Sequence, residues 1–361
     1  MKTELLYSMI CPVCHKGFKL KVFREKDKEI EEGILICSCG QFFPIVNKIP
    51  RILIGGLRVV LYNDFPEFFL KYKKFLPNEN ILKKNNEMEI LQKRKTLQSF
   101  GYEWNKFSET LKEWKENFNF YFEPLKNFNL LKNKIILEAG CGQGRHTHYV
   151  AELAKEVISI DASKAIDVAL YNTKKFNNIH FIQADIYNLP FKKNFFDFIF
   201  SLGVLHHLPR PEEGFKKIVE FLKFNGNVLI YVYHSFPKND FRYYGLKLIN
   251  IPRSLTVKLP FSILYLFCWP IALLLYSIFV LPYKFLSNFL KIKKIKKINW
   301  PFNLYSVYPF YVLLNDTFDR FSAPIENRYS KKQVLDWYQR AGLRDIKILK
   351  GWRILGKKVN F

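Results

Sequence analysis

Short apolar runs recur along the middle of the chain, and stretches with helical spacing separate them. Runs of this length that end at a polar residue are typical of buried strands. The pattern predicts a first strand from Ile135 and four more at 156–161, 178–185, 195–201 and 227–234. Because strands alternate with helices, an α/β fold with a parallel sheet is predicted. The C-terminal pattern predicts a helix at 331–341, which a capping box Ser330-Lys-Lys-Gln333 begins. Two antiparallel closing strands are predicted at 344–350 and 352–358.

The first of these strands runs directly into a glycine turn, within Ile-Ile-Leu-Glu-Ala-Gly-Cys-Gly-Gln-Gly. Glycines at such a turn let backbone N–H groups approach a ligand closely. A dinucleotide site requires Gly-x-Gly-x-x-Gly, whereas this chain has Gly-x-Gly-x-Gly. Acids also follow three strands, at Glu138, Asp161 and Asp185. Carboxylates beside the turn would repel a pyrophosphate but suit a cationic sulfonium, so the pattern favours a sulfonium-bearing nucleoside.

Four motifs in order carry a family resemblance: Leu-Glu-Ala-Gly-Cys-Gly-Gln-Gly, Ile-Asp-Ala-Ser, Gln-Ala-Asp-Ile-Tyr-Asn-Leu-Pro-Phe and Phe-Asp-Phe-Ile-Phe-Ser-Leu-Gly-Val-Leu-His-His-Leu. From about 130 to 235 the chain closely resembles class I S-adenosylmethionine (SAM)-dependent methyltransferases, type 11-like. The resemblance implies a Rossmann-like seven-stranded sheet with helices on both faces. It also implies a pocket in which Asp161 binds the ribose of SAM. The implied cofactor-binding residues are Glu138, Ala139, Gly140, Cys141, Gly142, Gly144, Asp161, Ala162, Asp185, Ile186, Ser201, Leu202 and His206.

Methyl transfer depends mainly on alignment of the reacting groups, so few side chains need chemical roles. A base helps if the acceptor is a hydroxyl group. His206, His207 and His234 all lie near the carboxyl ends of predicted strands, where ligands bind in such sheets. We select His206 as the candidate base. The alternative is that each ring packs at the site without a chemical role.

Four of the six cysteines form two close pairs, Cys11 with Cys14 and Cys37 with Cys39. Four thiolates spaced by a hairpin can bind one tetrahedral Zn²⁺, and a module this small needs such support. A strand at 18–23, a charged turn at 26–32 and a return strand at 33–36 are predicted between the pairs. With Cys-Gly-Gln-Phe-Phe-Pro-Ile-Val-Asn-Lys-Ile-Pro downstream, the segment resembles the Trm112-like zinc ribbon. A ribbon without metal stays the alternative.

Two further segments carry unusual apolar content. Residues 98–107 hold four aromatic side chains and a glycine, which favours either a docked helix or a lid over the cofactor. Residues 259–283 carry no charge and exceed the length of a membrane span. Pro270 is predicted to divide this run into a helical hairpin at a membrane surface. The alternative is a cover packed on its own domain or on a dimer partner.

The formal net charge is +25, which suggests an anionic partner such as nucleic acid or a membrane surface. Dispersed lysines in a chain also rich in Asn, Ile, Phe and Tyr are equally consistent with compositional drift. The first ten residues lack the pattern of a signal peptide, so a reducing compartment is expected.

We therefore predict a SAM-dependent methyltransferase that acts on a small-molecule or lipid-linked acceptor, through an oxygen nucleophile. It would be cytoplasmic, with peripheral contact at the inner face of the cytoplasmic membrane through 259–297. An RNA methyltransferase acting on tRNA or rRNA and a SAM-binding scaffold without turnover stay open, as does the oligomeric state. The predicted division is a zinc ribbon, a helical connector or lid, the SAM-binding core, an apolar helical insertion, and a C-terminal helix with closing strands, at 1–55, 56–130, 131–234, 235–328 and 329–361.

Overall fold

The computed structural model describes residues 1–78, 87–122, 125, 128–289 and 300–360. The strands are β1 Lys19–Lys26, β2 Glu29–Ile36, β3 Phe42–Val46, β4 Ile49–Ile52, β5 Ile135–Ala139, β6 Glu156–Asp161, β7 Ile179–Ala184, β8 Phe196–Leu202, β9 Leu222–Tyr231, β10 Leu343–Leu349 and β11 Arg353–Lys358. The helices are α1 Arg58–Asp64, α2 Pro66–Lys71, α3 Glu87–Lys106, α4 Trp114–Phe122, α5 Arg145–Ala151, α6 Ala165–Asn172, α7 Pro211–Glu220, α8 Phe241–Thr256, α9 Phe261–Leu275, α10 Leu281–Lys284, α11 Phe310–Ser322 and α12 Lys331–Arg340.

These strands form one sheet in the order β1-β2-β3-β4-β7-β6-β5-β8-β9-β11-β10. The strands β5 to β9 are parallel to one another, and β11 pairs antiparallel with β9. The seven strands β5 to β11 thus make the predicted Rossmann-like sheet, and the fold class is confirmed. The predicted capping box is present, since the Ser330 hydroxyl accepts from Gln333 N at the start of α12.

The N-terminal ribbon continues the same sheet. Its last strand, β4, pairs in parallel with β7, with Arg51 opposite Gln183 and Ile52 opposite Ala184. The Arg51 side chain is fully buried and donates two hydrogen bonds to Asp167 on α6, at 2.9 and 2.6 Å. Backbone pairing and a buried ion pair therefore join the ribbon to the core next to Asp185.

The turn inside the ribbon is shorter than the predicted charged turn over 26–32. Only Asp27 and Lys28 form it, both with left-handed φ values of 51° and 62°. Two such residues in succession make a tight hairpin turn. The charged residues that follow belong to β2, where they alternate with the buried Ile30. The predicted turn is therefore wrong over 29–32, because these residues belong to β2.

The predicted division of the apolar insertion at Pro270 is wrong. Helix α9 continues through π-turns and α10 as one helical segment, Phe261–Ser287. A proline removes one helical hydrogen bond, but contacts with α11 flank it here. Leu264, Cys268 and Ala272, spaced by one turn, are fully buried in the cluster shared with α11.

The other face of this segment is exposed and apolar. Leu266 is 67% exposed and Leu274 is 59% exposed. By length and composition alone the segment Phe261–Ser287 could cross a membrane, with a mean hydropathy of 2.3 and 22% of its most apolar window buried. The strands on either side, β9 and β11, pair in one sheet, so both flanks lie on the same side. The lysine cluster at 291–297 lies outside the described residues.

Candidate active site

A cavity of about 390 Å³ lies at the carboxyl ends of the central strands. The glycine turn, the residues after β6, β7 and β8, helix α3 and helix α11 surround it. Its polar lining residues include Lys93, Glu103, Glu138, Arg145, Asp161, Asp185, His207, Asn315, Asp316 and Asp319. Its aromatic lining residues are Phe100, Trp104, Tyr121, His146, Phe200, Tyr231 and Tyr233. Polar groups thus converge in one pocket that also has apolar and aromatic lining residues, which is the usual character of a ligand site.

The glycine turn lets neighbouring side chains pack closely against the backbone where the chain bends. Gly140 has a φ of +90°, and its N–H donates to Ile160 O at 2.8 Å. A Cβ at Gly140 would overlap the Val204 side chain, and one at Gly142 would lie 3.2 Å from Trp104 Nε1. Both positions require glycine by conformation and by close approach.

Asp161 stands at the end of β6 and is held by three donors. Its carboxylate accepts from Gly142 N at 3.0 Å, from Ser163 N at 2.8 Å and from Ser163 Oγ at 2.7 Å. Burial raises the pKa of Asp161, and these hydrogen bonds oppose that rise. The carboxylate is therefore fixed against the glycine turn and faces the cavity.

Asp185 follows β7 and is 5% exposed. Lys93 of α3 donates to its carboxylate at 2.9 Å, and the same ammonium lies 3.9 Å from the centre of the Tyr187 ring. This ion pair anchors α3 across the cavity. The aromatic segment noted in the sequence belongs to that helix, where Trp104 packs on Gly142 and Phe100 packs on His207 with ring centres 4.8 Å apart.

Glu138 is buried below the glycine turn. Its Oε2 accepts hydrogen bonds from the Thr147 hydroxyl and, at 2.9 Å, from Ser159 Oγ. Desolvation raises its pKa to about 8, although both hydroxyl groups favour the charged form. The Glu138 carboxyl thus keeps its proton to a higher pH in the folded protein than in the unfolded chain, which releases this proton above pH of about 4.5.

The pKa of Glu138 leads to a prediction about pH. Stability from the protonated carboxyl is present below pH of about 4.5 and is lost as the pH rises towards 8. At about 1.4 kcal/mol per pKa unit, this amounts to a few kcal/mol. We expect wild-type Tm to fall between pH 5.5 and 8.5, and Glu138→Gln, which keeps both hydroxyl partners, to show a flatter profile. Calorimetry across that range measures the difference, and parallel profiles would contradict the prediction.

Helix α11 and Glu103 of α3 form the wall opposite the glycine turn. Tyr305 OH donates to Asp316 Oδ2 at 2.6 Å, and Tyr233 OH donates to Asp319 Oδ2 at 3.2 Å. Burial raises the pKa of Glu103 well above its usual range, and the nearby carboxylates of Asp319 and Asp316 raise it further. Arg145 is the cation of this region, with its guanidinium 4.5 Å from the Trp114 ring centre.

This wall was not predicted from the sequence. Glu103 lies inside the aromatic segment 98–107, for which only the aromatic side chains supported a prediction. Asn315, Asp316 and Asp319 lie outside the motifs that carry the family resemblance. Helical spacing connects the three, since 315, 316 and 319 lie on one face of a helix. This helical spacing is the sequence feature from which the wall could have been predicted.

Nine of the predicted cofactor-binding residues line the cavity: Glu138, Gly140, Cys141, Gly142, Asp161, Ala162, Asp185, Ile186 and Leu202. Four others belong to the described residues but are outside the lining. Ala139 and Ser201 pair with each other, Ser201 Oγ donating to Ala139 O at 2.8 Å. Gly144 caps α5 with a φ of +83°. His206 is the fourth, and the binding roles of all thirteen stay predictions.

The two neighbouring histidines differ in position. The His206 ring is fully buried and stacks on Tyr233 with ring centres 3.8 Å apart. Its Nδ1 lies 3.3 Å from Tyr233 N, the donor. His207 lines the cavity instead, with Nδ1 2.6 Å from Ile325 O, which leaves Nε2 as the acceptor. Burial lowers the pKa of both rings, so both are neutral. The catalytic role of His206 stays a prediction.

A second cluster lies in the ribbon. The sulfur atoms of Cys11, Cys14, Cys37 and Cys39 all lie within 4.8 Å of one another. The Sγ atoms are 3.7 Å apart for Cys11 and Cys39 and 3.2 Å apart for Cys14 and Cys37. Tetrahedral Zn²⁺ with bonds of about 2.3 Å requires sulfur atoms ~3.8 Å apart. The cluster could hold a metal ion and is compatible with a Trm112-like zinc ribbon.

The sheet order, the glycine turn and the acids that follow three strands define a class I SAM-dependent methyltransferase domain. Residues 137–230 match the family model described as Methyltransferase domain. The enzyme class and the SAM cofactor predicted from the sequence are therefore confirmed.

Curated relatives match the same region. The tRNA U34 carboxymethyltransferase of Pseudoalteromonas atlantica is 34% identical over 104 residues, covering 28% of this chain and 32% of that protein. That of Aliarcobacter butzleri is 31% identical over 126 residues, covering 33% and 39%. The chain thus spans about a third of the length of these relatives. One chain of a solved complex that contains the Haloferax volcanii Trm112 methyltransferase activator is 12% identical, with coverage of 69% and 94% and a TM-score of 0.38.

These relatives correct the predicted acceptor. The main expectation, a small-molecule or lipid-linked acceptor with an oxygen nucleophile, is wrong, because several matched relatives are named for tRNA. The expected membrane contact through 259–297 gains no support from them either. The resemblance of the core motifs identified the methyl donor, but those motifs do not encode the acceptor.

Proposed function

We propose that the protein is an RNA methyltransferase that modifies a tRNA. The observation that carries the proposal is the similarity of the cofactor domain to tRNA U34 carboxymethyltransferases, at 34% identity over 104 residues. The net charge of +25 agrees with it, because phosphate neutralisation dominates the affinity of proteins for nucleic acids.

A basic cluster beside the cavity supports the same partner. Arg253, Arg320 and Arg328 converge on the single carboxylate of Glu326, which is nearly buried. The three guanidinium groups outnumber this carboxylate, and the charge of Asp319 also acts on Arg253 and Arg320. The Arg328 guanidinium also lies 5.0 Å from the Tyr233 ring centre, and Tyr233 lines the cavity. A phosphate held near this cluster would place its nucleotide at the mouth of the pocket.

The residues around the cavity fit SAM. When bound, SAM supplies a methyl group on a cationic sulfonium. The glycine turn gives close backbone approach, the fixed carboxylate of Asp161 can accept from hydroxyl groups of a ribose, and Asp185 and Ile186 provide a wall for a base. Trp104 of α3 lines the cavity and packs on Gly142, so it covers the glycine turn from the α3 side. These side chains bind and orient, which is the main requirement for methyl transfer.

The proposal is tested with methyl-labelled SAM and separate tRNA, rRNA, lipid and small-molecule fractions. We expect label in tRNA, with binding that weakens steeply as salt rises. Asp161→Ala, which removes a cavity-facing carboxylate, should abolish labelling while circular dichroism stays unchanged. Label in the lipid or small-molecule fraction alone would overturn the proposal.

We also propose that the four ribbon cysteines bind one Zn²⁺ as a structural ion. Their sulfur spacing and the four-thiolate donor set suit Zn²⁺, and closed sites of this kind stabilise small modules. Bound metal would fix β4, and with it the pairing to β7.

Removing one ligand is expected to weaken both metal binding and stability. Cys37→Ser should lose the zinc found by elemental analysis, about one ion per chain, and should lower Tm by several degrees. Cys268→Ser, at a buried cysteine far along the chain, is the control that retains zinc. Equal zinc content in the two variants would contradict the assignment.

A further inference from the structure

Three oxygen atoms on the wall opposite the glycine turn are buried and have no hydrogen-bond partner among the described residues. They are Glu103 Oε2 of α3 and, on α11, Asn315 Oδ1 and Asp319 Oδ1. All three residues line the cavity. Glu103 is 1% exposed and Asn315 is 6% exposed, so water reaches neither side chain freely.

Such an arrangement costs stability in the folded protein. A buried acceptor without a donor forfeits the hydrogen bond it would make with water. The neighbouring carboxylates of Glu103 and Asp319 also repel each other when both are charged. Polar groups left unsatisfied in this way are typical of binding sites, where the ligand supplies the missing donors.

The chemistry of the wall limits what can bind there. Carboxylate and amide oxygens accept N–H or O–H groups and repel phosphate or carboxylate. The remaining walls are rich in aromatic side chains, since Trp104, Tyr121, Tyr231 and Tyr233 all line the cavity. Aromatic side chains stack on planar rings. A planar heterocycle that carries N–H donors satisfies both requirements.

We infer that Glu103, Asn315 and Asp319 read the acceptor, taking an unstacked nucleobase by the N–H groups of its edge. This inference rests on the proposed RNA methyltransferase function and deepens it. A base inside a duplex cannot reach such a pocket, so the substrate class is a base in a single-stranded loop or one flipped out of its stack. The basic cluster of Arg253, Arg320 and Arg328 would hold the backbone outside.

The competing occupant is SAM itself, because its α-ammonium group could also meet these carboxylates. The two differ in what a variant changes. Acceptor-reading residues act on kcat and KM for RNA and leave SAM affinity unaltered. Residues that hold the ammonium weaken SAM binding when no RNA is present.

The experiment compares Glu103→Gln, Asp319→Asn and Asn315→Ala with the control Asp345→Asn, an exposed position on β10. Calorimetry gives the Kd of SAM without RNA, thermal melting gives Tm, and methyl-labelled SAM gives kcat and KM on tRNA. We expect SAM affinity within about twofold of wild type and kcat/KM on tRNA lower by about 10- to 100-fold. Tm of Glu103→Gln should be close to wild type, because burial and the neighbouring carboxylates already favour the neutral form of Glu103.

Each outcome of the experiment either supports or overturns the inference. A SAM Kd that weakens in parallel with kcat/KM assigns the wall to the cofactor and overturns the inference. Unchanged kinetics in all three variants, with active wild type, overturns the inference and leaves the proposed function standing. A wild-type protein that labels no RNA removes both. If one carboxyl variant does not fold, Asn315→Ala still allows the comparison with wild type, because it changes no ionisable group.

Discussion

Replacing Gly140 by alanine is expected to weaken SAM binding by roughly a hundredfold. The residue has a φ of +90°, which an alanine adopts only with strain, and its Cβ would overlap Val204. The strain and the overlap together cost about 3 kcal/mol, or roughly a hundredfold in affinity. The turn would shift, and the Gly142 N–H that fixes the Asp161 carboxylate would move with it.

Calorimetric titration with SAM measures this effect. Gly245→Ala is the matched control, because a Cβ at Gly245 in α8 meets nothing within 4 Å and its φ is not in the left-handed region. We expect the control to bind SAM normally and to be equal to wild type, or slightly above it, in Tm. Equal affinity in the two variants would show that the turn tolerates a side chain and would remove the close-approach argument.

Breaking the buried ion pair between ribbon and core is expected to have the largest effect on stability. Asp167→Ala leaves the fully buried Arg51 guanidinium without its carboxylate. An uncompensated buried charge typically costs about 3 to 5 kcal/mol. Arg51 is followed in β4 by Ile52, which lies opposite Ala184, and Asp185 comes directly after Ala184. The loss of the ion pair should therefore also disturb Asp185 and weaken SAM binding.

Urea unfolding followed by circular dichroism measures the stability, and titration with SAM measures the coupling. Glu212→Ala is the control, since Glu212 makes exposed ion pairs with Lys216 and Arg340 that are worth about 0 to 1 kcal/mol. A loss in Asp167→Ala no larger than in this control would mean that Arg51 finds other partners. Gln183 and Val46 O, which already accept from Arg51, are the candidates.

Local sequence patterns predicted the sheet well because its elements are local. The boundaries of β6 match the prediction at both ends, and α12 begins at its predicted capping box. An apolar run, together with the polar residue that follows it, indicates where a parallel strand ends. The glycine turn was equally readable, since conformation and close approach both demand glycine there.

Features that depend on distant residues were not predictable in this way. The pairing of β4 with β7 joins positions more than 130 residues apart, and no periodicity encodes it. The helix through Pro270 is continuous because α11 supports it, and α11 lies some forty residues further on. A pattern rule for proline describes an isolated helix, not one held by a neighbour.

The same limit explains the partly predicted site. Two consecutive histidines pass through one short turn, and its geometry alone decides that His207 faces the cavity while His206 is buried. Glu103 and Asp319 meet across two helices that lie far apart in the chain. Motifs therefore predicted the part of the cavity around the glycine turn, and tertiary packing forms the other part.

The continuity of ribbon and core also determines which strand ends the sheet in solution. Without the ribbon, β7 would be the outermost strand, apolar and with free backbone groups, which is a template for aggregation. When the ribbon is present, β1 takes that place, and Lys19, Lys21, Arg24 and Lys26 lie along it. Lysine-rich outer strands resist edge-to-edge association. The ribbon therefore protects this edge of the sheet from association, and a core expressed from residue 56 onward would lose that protection.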